Sequence, residues 1–306
     1  MSLATVGLCL AAEILIGANW RRIRGTTLVW PACWAMFSLA ALAAAQVALA
    51  LDAAPSAMHS YIRYVAAATT FCPLMALLGG KRPQDRAWQL IVLSLWVVAA
   101  LPALVEMAYR PSSLQLHAAW RWLLLLPLVL MGLLNYLPTR FWPSAVLAAC
   151  GQVGLLGEQL PLPGREAASW APAHVVATVA MGLFLLAILL VALGIPRRDP
   201  GKTSIDRLWL DFRDNFGAVW ALRVAERFNA SAAMYNWRVQ LTWSGLRAAD
   251  ATEPAHEDGH AREDDASEET AAAMQASLRS LLRRFVSPEW IARRTLTCKP
   301  PDIQDA

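Results

Sequence analysis

Charge is what this chain has least of. Asp, Glu, Lys and Arg make up 16% of its 306 residues, against about 25% in ordinary soluble domains. The shortage is uneven: residues 1–195 hold 11 Lys+Arg and 6 Asp+Glu, whereas residues 196–306 hold 16 and 17. So little charge over nearly two-thirds of the length excludes a single soluble globule. It predicts an all-α polytopic membrane protein with a small, mainly helical cytoplasmic C-terminal region.

Other shortages narrow the function. Lysine occurs only as Lys81, Lys202 and Lys299, outside every long apolar run, which excludes a retinal Schiff base. Glu13, Glu106 and the terminal Glu158 are the only acids within those runs, fewer than a proton-coupled transporter commonly uses. Glu13 is a candidate proton or cation site, beside the plainer reading of a hydrogen-bonded buried acid. Cys9, Cys33, Cys72 and Cys150 fall inside apolar runs and Cys298 in the tail, so no disulfide framework is implied. No basic segment precedes the first run, which Glu13 interrupts; it reads as a retained helix and not a cleaved signal. Ser-His-Asp, metallohydrolase and nucleotide signatures are missing. The stretch from Pro196 to Thr203 ends like a phosphate-binding loop, but Pro196 replaces the first glycine and no strand leads into it. Asn229-Ala-Ser231 is a glycosylation triplet on the side where it would not meet the enzyme.

What is present is a set of seven apolar runs, at about 2–18, 27–51, 57–79, 87–107, 117–137, 141–158 and 173–195. Crossing a bilayer takes roughly 20 helical residues. Basic residues flank alternate ends. Arg21, Arg22, Arg24, Lys81, Arg82, Arg86, Arg140, Arg197, Arg198 and Lys202 fall on one side, and Arg63, Arg110, Arg121 and Arg165 on the other. Because cytoplasmic loops collect Lys and Arg, the N-terminus is expected outside and the tail in the cytoplasm. Trp20, Trp30, Trp88 and Trp142 sit at inner ends of runs, and Trp120, Trp122 and Trp170 at outer ends, where indoles favour the headgroup layer. Arg outnumbers Lys 24 to 3 and Ala is abundant. That suits a GC-rich bacterial genome and a cell inner membrane.

Three histidines, His59, His117 and His174, stand near the outer ends of the third, fifth and seventh runs. The first two open the same pattern of His, three residues, Arg, aromatic: His59, Arg63 and Tyr64, then His117, Arg121 and Trp122. Lys81-Arg82 and Thr139-Arg140 occupy matching offsets downstream, so runs three–four and five–six read as a duplicated hairpin. Residues four apart share a helix face. If the odd helices converge, imidazoles and guanidiniums would line one outward pocket. Such a pocket suits haem with Arg-paired propionates, a metal, a quinone or an anionic lipid headgroup. The plainer reading is interfacial: Arg snorkels to phosphate and the aromatics join the belt. Ala148, Gly151, Gly154 and Gly157 form a smooth stripe predicting close helix packing, and Pro73, Pro102 and Pro127 predict kinks.

The tail divides by composition. Residues 196–247 carry a capping box, Thr203 with Asp206, then a helical stripe including Trp209, Phe212, Phe216 and Trp220, then a period-2 strand from Trp237 to Trp243 ending at Gly245. One helix and one strand do not close a core. The four aromatics are therefore candidate anchors for a partner protein or a second copy. The alternative folds the stripe onto its own strand and terminal helix. Residues 248–270 hold nine acids and read as a disordered linker in which His256 and His260 are solvated. Residues 271–306 read as a basic amphipathic helical tail suited to a membrane surface, with the acidic linker as the alternative contact.

The segments from Arg63 to Gly79 (RYVAAATTFCPLMALLG) and from Leu210 to Val224 (LDFRDNFGAVWALRV) resemble an uncharacterised bacterial family of multi-pass membrane proteins. The resemblance implies no activity, cofactor or site residues. The leading expectation is a non-enzymatic membrane anchor or scaffold acting through the aromatic helix. The alternatives are a haem- or quinone-binding redox subunit using His59, His117, His174, Arg63 and Arg121, and a small-solute transporter. The bilayer is one expected partner; nothing points to nucleic acid.

Overall fold

A computed structural model describes residues 3–51, 55, 58–81, 85–109, 114, 116–157, 159–160, 172–197, 203–248 and 263–295. It is mostly helical and divides into two compact units, Met1–Arg198 and Asp199–Ala306.

In the first unit every predicted run is helical. The run order is α1 (Leu3–Ala18), a single turn α2 (Trp20–Ile23) and α3 (Val29–Ala50). The third run is α4 (His59–Ala68), a 3-10 turn (Thr69–Phe71) and α5 (Cys72–Leu78). Then comes α6 (Asp85–Tyr109). The fifth run is α7 (Ala118–Trp120), a π-helical turn (Arg121–Leu125) and α8 (Leu126–Tyr136), followed by α9 (Trp142–Leu156) and α10 (Ala173–Leu193). Five runs are helices long and apolar enough to cross a membrane; Leu3–Ala18 and Trp142–Leu156 are apolar but shorter.

The third run is the axis of this unit. Of its apolar window 61% is buried, against 17–22% in the other four long helices. It packs on α3, α6 and α9, while α1 bridges α3 to α10 and α9 lies between α10 and α8. Tyr64, Phe71, Leu125 and Leu156 centre one core; Cys9, Leu39, Leu42 and Met181 centre another. A Cβ on Gly151 would lie 3.1 Å from the Phe184 ring and 3.2 Å from the Ala180 carbonyl, so α9 meets α10 along the smooth stripe. The hydroxyls of Thr5 and Thr178 are 2.7 Å apart near the starts of α1 and α10, and Arg22 donates to the Ala192 carbonyl near their far ends. The two helices are parallel.

Each proline has its own outcome. Pro73 offers no N–H to the Thr69 carbonyl four residues back, and the helix loosens there into the 3-10 turn. Ser38 Oγ donates to that carbonyl at 2.7 Å, and Gln152 Nε2 donates to the Thr70 carbonyl at 3.2 Å. The Thr69 carbonyl also accepts from Cys72 N in the 3-10 turn, so side chains of neighbouring helices add to the backbone bonding where the helix loosens. Pro102 leaves α6 unbroken, with the Tyr64 hydroxyl donating to the Ala99 carbonyl at 2.8 Å. Pro127 follows directly on the π-helical turn.

The second unit comprises α11 (Ser204–Met234), β1 (Val239–Thr242), β2 (Gly245–Ala248), α12 (Glu263–Leu282) and α13 (Pro288–Thr295). The capping box forms: Thr203 Oγ1 accepts from Asp206 N at 3.1 Å, and Asp206 Oδ2 accepts from Thr203 N at 3.2 Å. Gly217, at φ 76°, breaks α11 into two helical segments. The predicted strand is one arm of a hairpin that pairs Val239 with Ala248. Gly245, read from the sequence as the strand's end, instead opens the second arm at φ +126°. A Cβ there would lie 2.4 Å from Asp206 Oδ1, the oxygen that accepts from Leu246 N at 2.8 Å. Asn229, of the glycosylation triplet, holds β1 by accepting from Leu241 N at 2.7 Å and donating to its carbonyl at 3.1 Å.

The aromatic stripe is the core of this unit. Trp209, Phe212 and Phe216 are 0% exposed and Trp220 is 3% exposed. Phe285 meets Phe212, Phe216 and Trp220 with ring centroids 4.9 to 5.5 Å apart. Of the two readings of the stripe, partner anchors or a core folded onto its own strand and terminal helix, the burial matches the second, with a second strand and a further helix helping to close that core. Within the stretch read as linker, α12 already begins at Glu263, and residues 249–262 lie outside the described residues, as do His256 and His260.

Candidate functional site

The predicted outer residues do not all meet. His59, Arg63 and His174 line one cavity of about 210 Å³ together with Gln46, Leu49, Ala50 and Ala173. Three helix ends build it: the last turn of α3 supplies Gln46, Leu49 and Ala50, the first turns of α4 supply His59 and Arg63, and the first turn of α10 supplies Ala173 and His174. Residues 59 and 63 share a face because they are four apart on one helix.

The electrostatics of the cavity have one sign. A guanidinium, two imidazoles and an amide face it, and among the described residues no carboxylate lines it. Arg63 has no ion-pair partner among the described residues. Two helices, α4 and α10, begin there, and their unsatisfied N–H groups carry partial positive charge. The α3 terminus opposes this with carbonyl ends, and the Gln46 amide is placed beside it. Such a set recognises a small anion: guanidinium forks match the oxygens of phosphate, sulfate or carboxylate.

His117 and Arg121 are elsewhere. The His117 Nδ1 accepts from Ala119 N at 3.3 Å, capping α7. Arg121 Nε and an Nη each donate at 2.9 Å, to the Gln159 and Leu160 carbonyls that follow α9. Neither lines the cavity. Among the described residues no group of three or more His, Cys, Asp or Glu is arranged to hold a metal ion. The volume is also below the about 300–1,000 Å³ of pockets for drug-sized ligands, so the residues present do not fit a porphyrin.

Gln46 is the member that sequence reasoning passed over. Its signal was available: a lone amide near the end of an alanine-rich run, where a polar side chain in a bilayer helix normally has a job. Glu13 lies half-buried on α1 and does not line this cavity. Comparison with known proteins found no matching family model, no matching curated protein and no matching solved structure.

Proposed function

We propose that the chain is a seven-span bacterial inner-membrane protein, N-terminus outside and tail cytoplasmic, that binds a small oxyanion at its outer surface without chemical conversion. The observation that carries this reading is Arg63 beside His59 and His174 in one cavity, with no acid among the described residues of its lining. Ten basic residues on the opposite set of loops support the orientation. The parallel course of α1 and α10 suits the first and last of seven alternating spans.

Equilibrium dialysis of the purified protein against labelled phosphate and sulfate tests the site. Saturable binding is expected, lost in Arg63→Gln and in the His59→Ala/His174→Ala pair, and retained in Arg121→Gln. Absence of saturable binding in the native protein, or binding indifferent to Arg63→Gln, overturns it. A phosphatase fused after Ala50 is expected to be active outside the cell, and a fluorescent reporter after Arg197 to be folded inside.

The anchor reading keeps one support. The tail unit closes around its own core, so it suits a module displayed at the membrane, with contacts made by its outer surface and not by Trp209, Phe212, Phe216 and Trp220.

A further inference from the structure

The tail carries nearly balanced charge in sequence, 16 basic and 17 acidic residues from 196 onward; among the described residues three acids are taken inward while Glu226, Glu269 and Glu289 are exposed. Asp206, Asp211 and Asp214 are buried, at 7%, 6% and 2% exposure. Asp206 is held by the capping box and Leu246 N, Asp211 by Arg294 at 2.8 Å, and Asp214 by Arg213 at 2.7 Å. Arg223, Arg227, Arg283 and Arg284 are exposed, and none has an ion-pair partner among the described residues.

These four share one end of the unit. The Arg223 guanidinium lies 5.1 Å over the Trp220 ring, and Trp220 meets Phe285 at 4.9 Å. Phe285 is preceded in the chain by Arg283 and Arg284, and Arg227 is one helical turn beyond Arg223. Leu222, 60% exposed, stands beside Arg223. Glu226 is the one acid between them. A basic cluster with an exposed apolar side chain is the composition that binds an anionic bilayer surface, guanidiniums to lipid phosphates and the apolar group at the acyl boundary. Ten residues, 194–203, lie between α10 and α11, so this unit is covalently tied to a set of helices long and apolar enough to cross a membrane.

We propose that the face bearing Arg223, Arg227, Arg283 and Arg284 docks on anionic lipid headgroups. This rests on membrane embedding of the first unit and is independent of the outer oxyanion cavity. The full chain is reconstituted in nanodiscs of phosphatidylcholine alone or with phosphatidylglycerol, then labelled with an arginine-selective dicarbonyl and read by mass spectrometry. Labelling of the four arginines is expected to fall about fivefold for each one engaged, since one arginine near an anionic surface contributes about 1 kcal/mol. The loss should need phosphatidylglycerol and be reversed by high salt, while Arg247 on the hairpin stays unchanged. Arg283→Glu/Arg284→Glu should restore labelling of Arg223 and Arg227, with circular dichroism checking the fold. Equal labelling in both lipids overturns the proposal. Protection already complete in phosphatidylcholine does so too, because it assigns the face to the chain's own acidic stretch.

Discussion

Two helix starts share one six-residue pattern and differ in what their polar side chains meet. At the first, Arg63 faces a cavity and Tyr64 is 1% exposed, its hydroxyl tied to the Ala99 carbonyl. At the second, His117 caps its own helix, Arg121 binds the Gln159 and Leu160 carbonyls, and Trp122 is 55% exposed. The side chains are nearly the same; the surroundings are not. The first copy runs along the buried axis of the unit, whereas only 17% of the fifth helix's window is buried. A guanidinium beside open backbone carbonyls becomes a structural clamp, and the one at the first copy lines a cavity instead. The comparison teaches that an internal repeat predicts helix geometry but not the role of its polar residues.

The contrast can be broken most sharply at the inner ends. Gly79 and Leu137 hold equivalent offsets from His59 and His117. A Cβ at Gly79 would lie 2.0 Å from the Trp88 indole, which also donates to the Met75 carbonyl at 2.8 Å. Gly79→Ala must displace that ring and is expected to cost about 3 kcal/mol in detergent unfolding. Leu137, 44% exposed, should tolerate alanine within about 0.5 kcal/mol.

Next in size is the arginine pair. Arg63→Gln removes charge-assisted bonds of about 1.5–3 kcal/mol and should weaken oxyanion binding about 10- to 100-fold in dialysis. Arg121→Gln should leave binding within about twofold and lower the unfolding midpoint instead, since two carbonyls lose their donor. The aromatic positions follow. Tyr64→Phe should destabilise by about 1 kcal/mol through the lost buried hydrogen bond, while Trp122→Phe stays within about 0.5 kcal/mol. The smallest effect is at the histidines: His117→Ala should cost about 0.5 kcal/mol as a lost cap. His59→Ala should weaken anion binding in the same dialysis, since its imidazole lines the cavity.

Much of the fold was legible in residues taken locally. The capping box at Thr203 and Asp206 appears as read, and the strand read from Trp237 to Trp243 appears as the shorter Val239–Thr242. Less of the site was legible. His59 and His174 share a cavity because α4 and α10 begin at the same end of the unit, a long-range fact, and His117 is absent from it because α7 begins elsewhere. The second strand was missed because glycine reads as a stop, whereas at φ +126° Gly245 is what lets the chain turn back.

Composition alone determined that this protein has an apolar helical part and a charged tail, because hydropathy sums over neighbouring residues and needs no knowledge of the fold. Periodicity alone determined that Trp209, Phe212, Phe216 and Trp220 share a face that must be covered. What covers that face, which helix forms the axis and which arginine lines the cavity were decided by packing. Those outcomes depend on atoms far apart in the chain that come within a few ångströms only when it folds.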